Sequence, residues 1–284
     1  MDDCSSLNQI KLISNNSKVS TKLDIELLIL NLLSIDKNIL YRDDPRLSSD
    51  KLTELKELVQ RRERGEPLAY LIKSIGFWSL DLYVDENVLV PRPETEIIIE
   101  KVLEDFNTAE KKVLDLGTGS GAIGLALSKE RFGWDVFCSD KSFKALKIAS
   151  KNMQSNSLSV SFIHSDWLEA FASDTFDIII CNPPYIDPDD PRVHSDGLRF
   201  EPISALISAS KGLKDIETVI SKSPERLVNK GSLYLEHGHE QSQEVISLLK
   251  KYNFSEIRKF KDLNGDDRVC SGTVSYTHLR AHET

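Results

Sequence analysis

The chain is poor in cysteine, carries no excess of basic charge and has no long apolar run. Its four cysteines, Cys4, Cys138, Cys181 and Cys270, lie far apart and form no C-x-x-C pair. That argues against a disulfide framework and a zinc ribbon, and it fits a reducing cytoplasm. The longest apolar run near the start, Leu27-Leu28-Ile29-Leu30, is bounded by Glu26 and Asn31. It is too short to span a bilayer or to form a signal-peptide core, so no membrane partner is expected. With 36 Lys and Arg against 45 Asp and Glu, the net charge is −9. A non-specific nucleic-acid binder needs a basic face, so direct, sequence-specific nucleic-acid binding is not expected either. There is no internal repeat and no low-complexity tract. What remains is a soluble globular composition, 40% hydrophobic and 29% charged in 284 residues, enough for one large domain or two.

The most informative stretch is Asn182-Pro183-Pro184-Tyr185. It follows the β-branched run Phe176-Asp177-Ile178-Ile179-Ile180-Cys181, which reads as a central strand. Two prolines cannot donate to a sheet ladder, so the tetrapeptide stands just past the strand's C-terminal end. Open α/β sheets bind ligands at that edge. The prolines stiffen the loop and leave their carbonyls free, Asn182 brings an amide, and Tyr185 brings a flat ring. Such a loop suits a planar NH2 group, gripped by its hydrogens and stacked from one side. An ordinary strand-ending Pro-Pro turn accounts for the tetrapeptide equally well when it is taken alone.

A second motif, Asp115-Leu116-Gly117-Thr118-Gly119-Ser120-Gly121, joins the predicted strand Val113–Leu116 to a helix from Ala122 to Arg131. Glycines there let the backbone turn tightly and approach a ligand, and dinucleotide-binding loops look similar. Asp115 can take a ligand ammonium or orient the loop. Asp140 ends the next strand, where an acid can hold ribose hydroxyls. Asp166-Trp167 follows a third strand, where the ring can lie along an adenine and the carboxylate accept from its amino group. With Asn182, these strand ends form one rim that a cofactor with adenine, ribose and an amino-acid tail would fill. His237 and His239 are too few to fill a zinc shell, so no metal is expected.

Strands and helices alternate from Lys112 onward, which predicts a mostly parallel sheet with helices on both faces. The first 74 residues read as helices, including an almost wholly apolar one at Asp24–Leu33 and another at Lys51–Arg64 closed by Gly65 and Pro67. Arg61, Arg62 and Arg64 read as a solvated helix end. Runs at Phe77–Val84 and Val88–Val90 around Asp85-Glu86-Asn87 predict a β-hairpin between two domains. The helix from Ile216 to Val228 is expected to kink or break at Pro224. Glu94 and Glu201 suit either the pocket or solvent.

The glycine loop, Asp140 and the Asn-Pro-Pro-Tyr loop resemble S-adenosylmethionine-dependent methyltransferases with a seven-stranded sheet. More closely, the chain resembles the HemK/PrmC family of release factor glutamine methyltransferases. That resemblance rests on Arg64-Gly65-Glu66-Pro67 with Tyr70, Pro91-Arg92-Pro93-Glu94-Thr95-Glu96, Asp166-Trp167, Asn182-Pro183-Pro184-Tyr185-Ile186, Arg199-Phe200-Glu201-Pro202 with Ala205-Leu206, and Glu236-His237-Gly238. It implies a seven-stranded, mostly parallel Rossmann-like α/β methyltransferase sheet at residues 96–272. It also implies a helical substrate-recognition domain at 1–74 and a hairpin linker at 75–95. The implied substrate is the glutamine of the Gly-Gly-Gln motif in class-1 peptide chain release factors, methylated on its side-chain nitrogen in the cytoplasm. Gly117, Thr118, Gly119, Ser120, Gly121, Asp140, Asp166, Trp167 and Asn182 are the expected cofactor contacts. Asn182, Pro183, Pro184 and Tyr185 are the expected substrate contacts, with Asn182, Pro183 and Tyr185 in the catalytic roles. Residues 273–284 have no counterpart in the family and are expected to be a non-native tail. Two other readings stay open: an adenine-N6 methyltransferase acting on a flipped base, and an inactive binding module.

Overall fold

The computed structural model describes residues 4–17, 19–107, 109–194 and 197–275. They divide into two compact units, Met1–Ser74 with His194–Phe200, and Ile75–Val193 with Glu201–Thr284.

The first unit is helical: α1 Ser6–Asn16, α2 Lys22–Leu33, α3 Lys37–Asp43, α4 Ser49–Glu63 and α5 Leu68–Ile72. Thr21 and Asp24 close a reciprocal capping box at the start of α2, each side chain taking the other's backbone N–H. Ile25, Leu28 and Ile29 of α2 are fully buried, together with Ile10, Leu40 and Leu55. Each such side chain contributes about 1.5–3 kcal/mol. At the end of α4, Arg61 and Arg64 are exposed, as a solvated helix end requires, whereas Arg62 is half-buried. Arg61 pairs with Glu66, and Arg62 pairs with Asp24 and donates to the Glu66 carbonyl. Gly65 then turns the chain at φ +89°.

The second unit holds the sheet. Its strands are β3 Lys112–Leu116, β4 Asp135–Asp140, β5 Ser161–His164, β6 Phe176–Cys181, β7 Leu227–Glu236, β8 Phe254–Lys261 and β9 Asp267–Val274, in the spatial order β5-β4-β3-β6-β7-β9-β8. The first five in that order run parallel, and β9 pairs antiparallel with both β7 and β8. Alternate residues along β6 face two separate cores. Ile178 and Ile180 join α6 (Glu96–Asp105) and α7 (Ala122–Glu130). Ile179 and Cys181 join α9 (Lys214–Arg226) and α10 (Ser242–Lys251). That period of two in an unbroken apolar run is what a strand covered on both faces requires. The helix α8, Phe143–Ser155, lies against β4 and β5. Pro224 stays inside α9 rather than breaking it, two residues from the helix end, where the lost N–H costs one bond.

Two expectations need correction. The hairpin is β1 Ile75–Phe77 with β2 Leu80–Leu82, turning at Trp78-Ser79 rather than at Asp85-Glu86-Asn87. Its Phe77, Leu80 and Leu82 belong to the core with α6 and α7, so the segment is part of the second unit. The chain after it is not a strand, because Tyr83 gives its N–H and carbonyl to the Asn152 side chain of α8. Nor does the fold stop at Gly272. Thr273 pairs with Ser232 and Ser255, and Val274 pairs with Phe254 and is 2% exposed. The rest of the expected tail, residues 276–284, lies outside the described residues.

Candidate active site at the strand ends

The C-terminal ends of β3, β4, β5 and β6 share one cavity of about 690 Å³. Gly117, Thr118, Gly119, Ser120, Asp140, Asp166, Trp167, Asn182 and Pro184 line it. Gly121, Pro183 and Tyr185 do not. Gly121 sits at the N-terminus of α7 with φ +88°, where a Cβ would meet Leu125 at 2.9 Å, so its task is the turn into the helix.

The glycine loop is held from below. Asp115, 1% exposed, accepts the Thr118 hydroxyl at 2.6 Å and the Gly124 N–H at 2.8 Å. Of the two roles open to it, the geometry supports orienting the loop. Burial pushes its carboxyl up to about 6; the two hydrogen bonds oppose that and the Asp140 charge adds to it. Gly119, at φ +56°, has open space where a Cβ would stand. Asp140 ends β4 with its carboxyl raised by burial, against the N–H groups of Ser142 and Gly119. Asp166 pairs with Lys141 at 2.6 Å, and the Trp167 ring lies beside Gly117.

Asn182 follows β6 directly. Its Nδ2 donates to the Thr95 hydroxyl at 3.3 Å, in the turn before α6. The Tyr185 hydroxyl donates to Glu236 Oε1 at 3.3 Å, at the end of β7. Burial next to Glu236 drives the Tyr185 hydroxyl far above the usual tyrosine range. The opposite wall is formed by residues 86–92 and 202–207. Glu201 fastens the two, accepting the Val90 N–H at 3.0 Å and pairing with Arg92. Glu201 is therefore buried and paired, not solvated. Four acids line the cavity, Glu86, Asp140, Asp166 and Asp215, against two bases, Arg92 and Lys141. A cationic ligand is favoured there.

Comparison with known proteins decides the family. The methyltransferase small domain model matches residues 93–195, and the PrmC N-terminal domain model matches residues 11–72. Release factor glutamine methyltransferase of Buchnera aphidicola subsp. Schizaphis graminum is 41% identical over 251 residues, 88% of this chain and 91% of that protein. The one of Francisella tularensis subsp. tularensis is 39% identical over 266 residues, 92% of this chain and 94% of that protein. The chain belongs to the release factor glutamine methyltransferase family. A methyltransferase of Pyrococcus furiosus superposes with a TM-score of 0.54 at 15% identity, over 80% of this chain and all of that one, which shows the fold.

The site fits the methyl donor of a release factor glutamine methyltransferase. Ser139 Oγ is fully buried, lines the cavity and has no hydrogen-bond partner among the described residues, so it stands ready for a polar ligand. The open face of Gly119 and the acidic wall suit a sulfonium ligand with an amino-acid tail. Sequence reasoning missed Ser139, Thr95 and Glu236 as site residues. Ser139 and Glu236 stand at strand ends, the position that already pointed to Asp140 and Asn182. Thr95 carries no such signal.

Proposed function

We propose that this chain methylates the side-chain nitrogen of the glutamine in the Gly-Gly-Gln motif of class-1 peptide chain release factors, in the cytoplasm, with S-adenosylmethionine as donor. One observation carries the reading: the Asn182 loop and the glycine loop open on the same cavity. Kinship with release factor glutamine methyltransferases over most of the chain supports it.

The bound donor supplies a methyl group on a cationic sulfur. Gly117 to Ser120 and Ser139 take its polar tail, Asp140 its ribose, and Trp167 its adenine. An amide nitrogen is a poor nucleophile, because its lone pair is delocalised into the carbonyl. Asn182 Oδ1 and the Pro183 carbonyl accept its two N–H bonds. They hold the nitrogen in line and favour the positive charge that develops on it. Tyr185, outside the cavity lining and bonded to Glu236, braces the loop that meets the substrate amide. The methylated nitrogen is acidic and releases its proton afterwards, so no strong base is required. The acidic wall counts against a polyanionic substrate such as duplex DNA.

The test is tritiated methyl transfer to purified release factor, with duplex DNA as the competing acceptor. Asn182→Ala is expected to lower transfer by roughly a hundredfold, the scale of losing one oriented acceptor in a polar site, while the donor still binds. Transfer to DNA with none to release factor would overturn the reading.

A further inference from the structure

A carboxamide turned by 180° keeps its shape but presents NH2 in place of oxygen. The substrate NH2 only donates, so Asn182 serves it only with Oδ1 facing the cavity. Thr95 alone does not enforce this, since a hydroxyl both donates and accepts. Something must claim the hydroxyl proton and leave Thr95 Oγ1 as an acceptor for Asn182 Nδ2.

Glu236 is placed to do so. Leu235 of β7 pairs with Cys181 of β6, so Glu236 lies beside Asn182 at the next step along the sheet. It is 1% exposed. Oε1 takes the Tyr185 hydroxyl, whereas Oε2 is buried with no hydrogen-bond partner among the described residues, an acceptor that calls for a donor. Thr95 Oγ1 is tied to Asn182, which adjoins Glu236 across the β6–β7 pair, and Thr95 is among the groups that hold the Glu236 carboxyl down. An ionised carboxylate only accepts, so it fixes the direction of both hydroxyls that face it.

We propose that Glu236 and Thr95 are positioning residues, in which the acceptor-only carboxylate sets the direction of the Thr95 hydroxyl, Thr95 sets the polarity of the Asn182 carboxamide, and Tyr185 is held by the same carboxylate. This inference rests on the glutamine reading, because only a donor-only substrate group needs the polarity to be fixed. It also gives the site a pH dependence. Burial raises the Glu236 carboxyl to about 7, with Glu94 adding to the rise, while Thr95, Tyr185 and the Arg268 charge from β9 oppose it. The neighbouring His237 is itself buried and pushed below its ordinary value. Once protonated, Glu236 can donate, and the direction of the relay is lost. Transfer therefore falls as pH drops through about 7.

The experiment uses the full chain with release factor as acceptor. It measures kcat and KM for Thr95→Val, Thr95→Ser and Glu236→Gln across that pH range, with donor affinity by calorimetry. Thr95→Val keeps the shape and removes the hydroxyl. It is expected to lower kcat by about tenfold or more, the scale of a misoriented reacting group, with donor affinity unchanged. Thr95→Ser is expected to restore the rate. Glu236→Gln, which can present NH2 to Thr95, is expected to be slow and to lose the acid limb of the profile. If Glu236→Gln does not fold, the Thr95 pair and the wild-type limb carry the test. Wild-type kcat in Thr95→Val, no rescue by Thr95→Ser, or a wild-type profile flat through pH 7 overturns the relay alone. A wild-type chain inactive on release factor overturns both readings.

Discussion

Asp140 Oδ2 accepts the backbone N–H of Gly119 at 2.9 Å, so the acid that ends β4 braces the glycine loop that follows β3. One side chain thus serves two strand ends. Its other oxygen takes the Ser142 N–H at 2.7 Å, which starts the turn into α8. Both oxygens keep lone pairs for a ligand.

Asp140→Ala should therefore weaken donor binding by about 1.5–3 kcal/mol, the scale of a hydrogen bond to a charged group. Asp140→Asn should fall between wild type and Ala, because an amide has one acceptor oxygen for the two backbone donors. Calorimetry with S-adenosylmethionine checks both. Equal affinities in all three proteins would place the ribose elsewhere on the rim.

Asp115 makes stability fall with pH. Its carboxyl sits at about 6 when folded against an ordinary 3.8, so the folded chain holds the proton more tightly than the unfolded one. The stabilisation is fully present below about pH 3.8 and is lost as pH rises through about 6. The gap between these two values corresponds to about 3 kcal/mol. Asp115→Asn removes the titration. Urea unfolding of both proteins between pH 4 and 7 should show the wild type losing stability relative to the variant as pH rises. Parallel curves would mean that Asp115 is not the group responsible.

The sheet was readable because its strands are short β-branched runs flanked by Gly, Pro and Asn signals, and because ligand-facing residues gather at strand ends. Where the sequence misled, a side chain replaced a ladder. Tyr83-Val84 and Val88–Val90 have strand composition, and Val84, Val88 and Val90 are buried, but Tyr83 is bonded to Asn152 rather than to a partner strand. The turn signal at Asp85–Asn87 was sound: Asp85 takes the N–H of Asn87 and of Val88. The true hairpin turn at Trp78-Ser79, with Trp78 at φ +56°, has no Gly, Asn or Asp to announce it. Thr95 stood inside a motif of the family resemblance, but its role could not be read there for another reason. Its role depends on β6 and β7 being neighbours, which no local pattern encodes.

Truncation after Ser275 should leave the melting temperature unchanged, because residues 276–284 show no apolar periodicity to bury. Truncation after Gly272 should not. It removes Val274 from the core with Phe254 and Leu249, and it removes Thr273, whose carbonyl accepts from Ser255 and whose hydroxyl meets Ser232. Burial of one valine alone is worth about 1.5–3 kcal/mol. Thermal unfolding of the two truncations side by side separates them. Equal melting temperatures would show that β9 does not need its last two residues.

The helical unit should decide which substrates are served, not whether the donor binds. Its apolar core, from Ile10 to Leu71, contains no residue of the sheet unit, and all cavity-lining residues belong to the sheet unit. Removing residues 1–74 therefore takes no side chain from the donor site. A release factor presents its glutamine on a loop of a folded protein, and holding such a partner requires surface beyond a pocket sized for one side chain. A short Gly-Gly-Gln peptide needs only the pocket, and its glycines let the backbone enter a narrow cleft. The truncated chain should bind S-adenosylmethionine, transfer weakly to the peptide and lose transfer to the intact release factor. Changing the substrate glutamine to asparagine should abolish transfer in both proteins. That side chain falls one methylene short of the methyl group, and misplacement on that scale costs about a hundredfold or more. If the truncated chain methylates intact release factor at the full rate, the helical unit has no part in recognition. If it loses donor binding while still folded, the two units share the site.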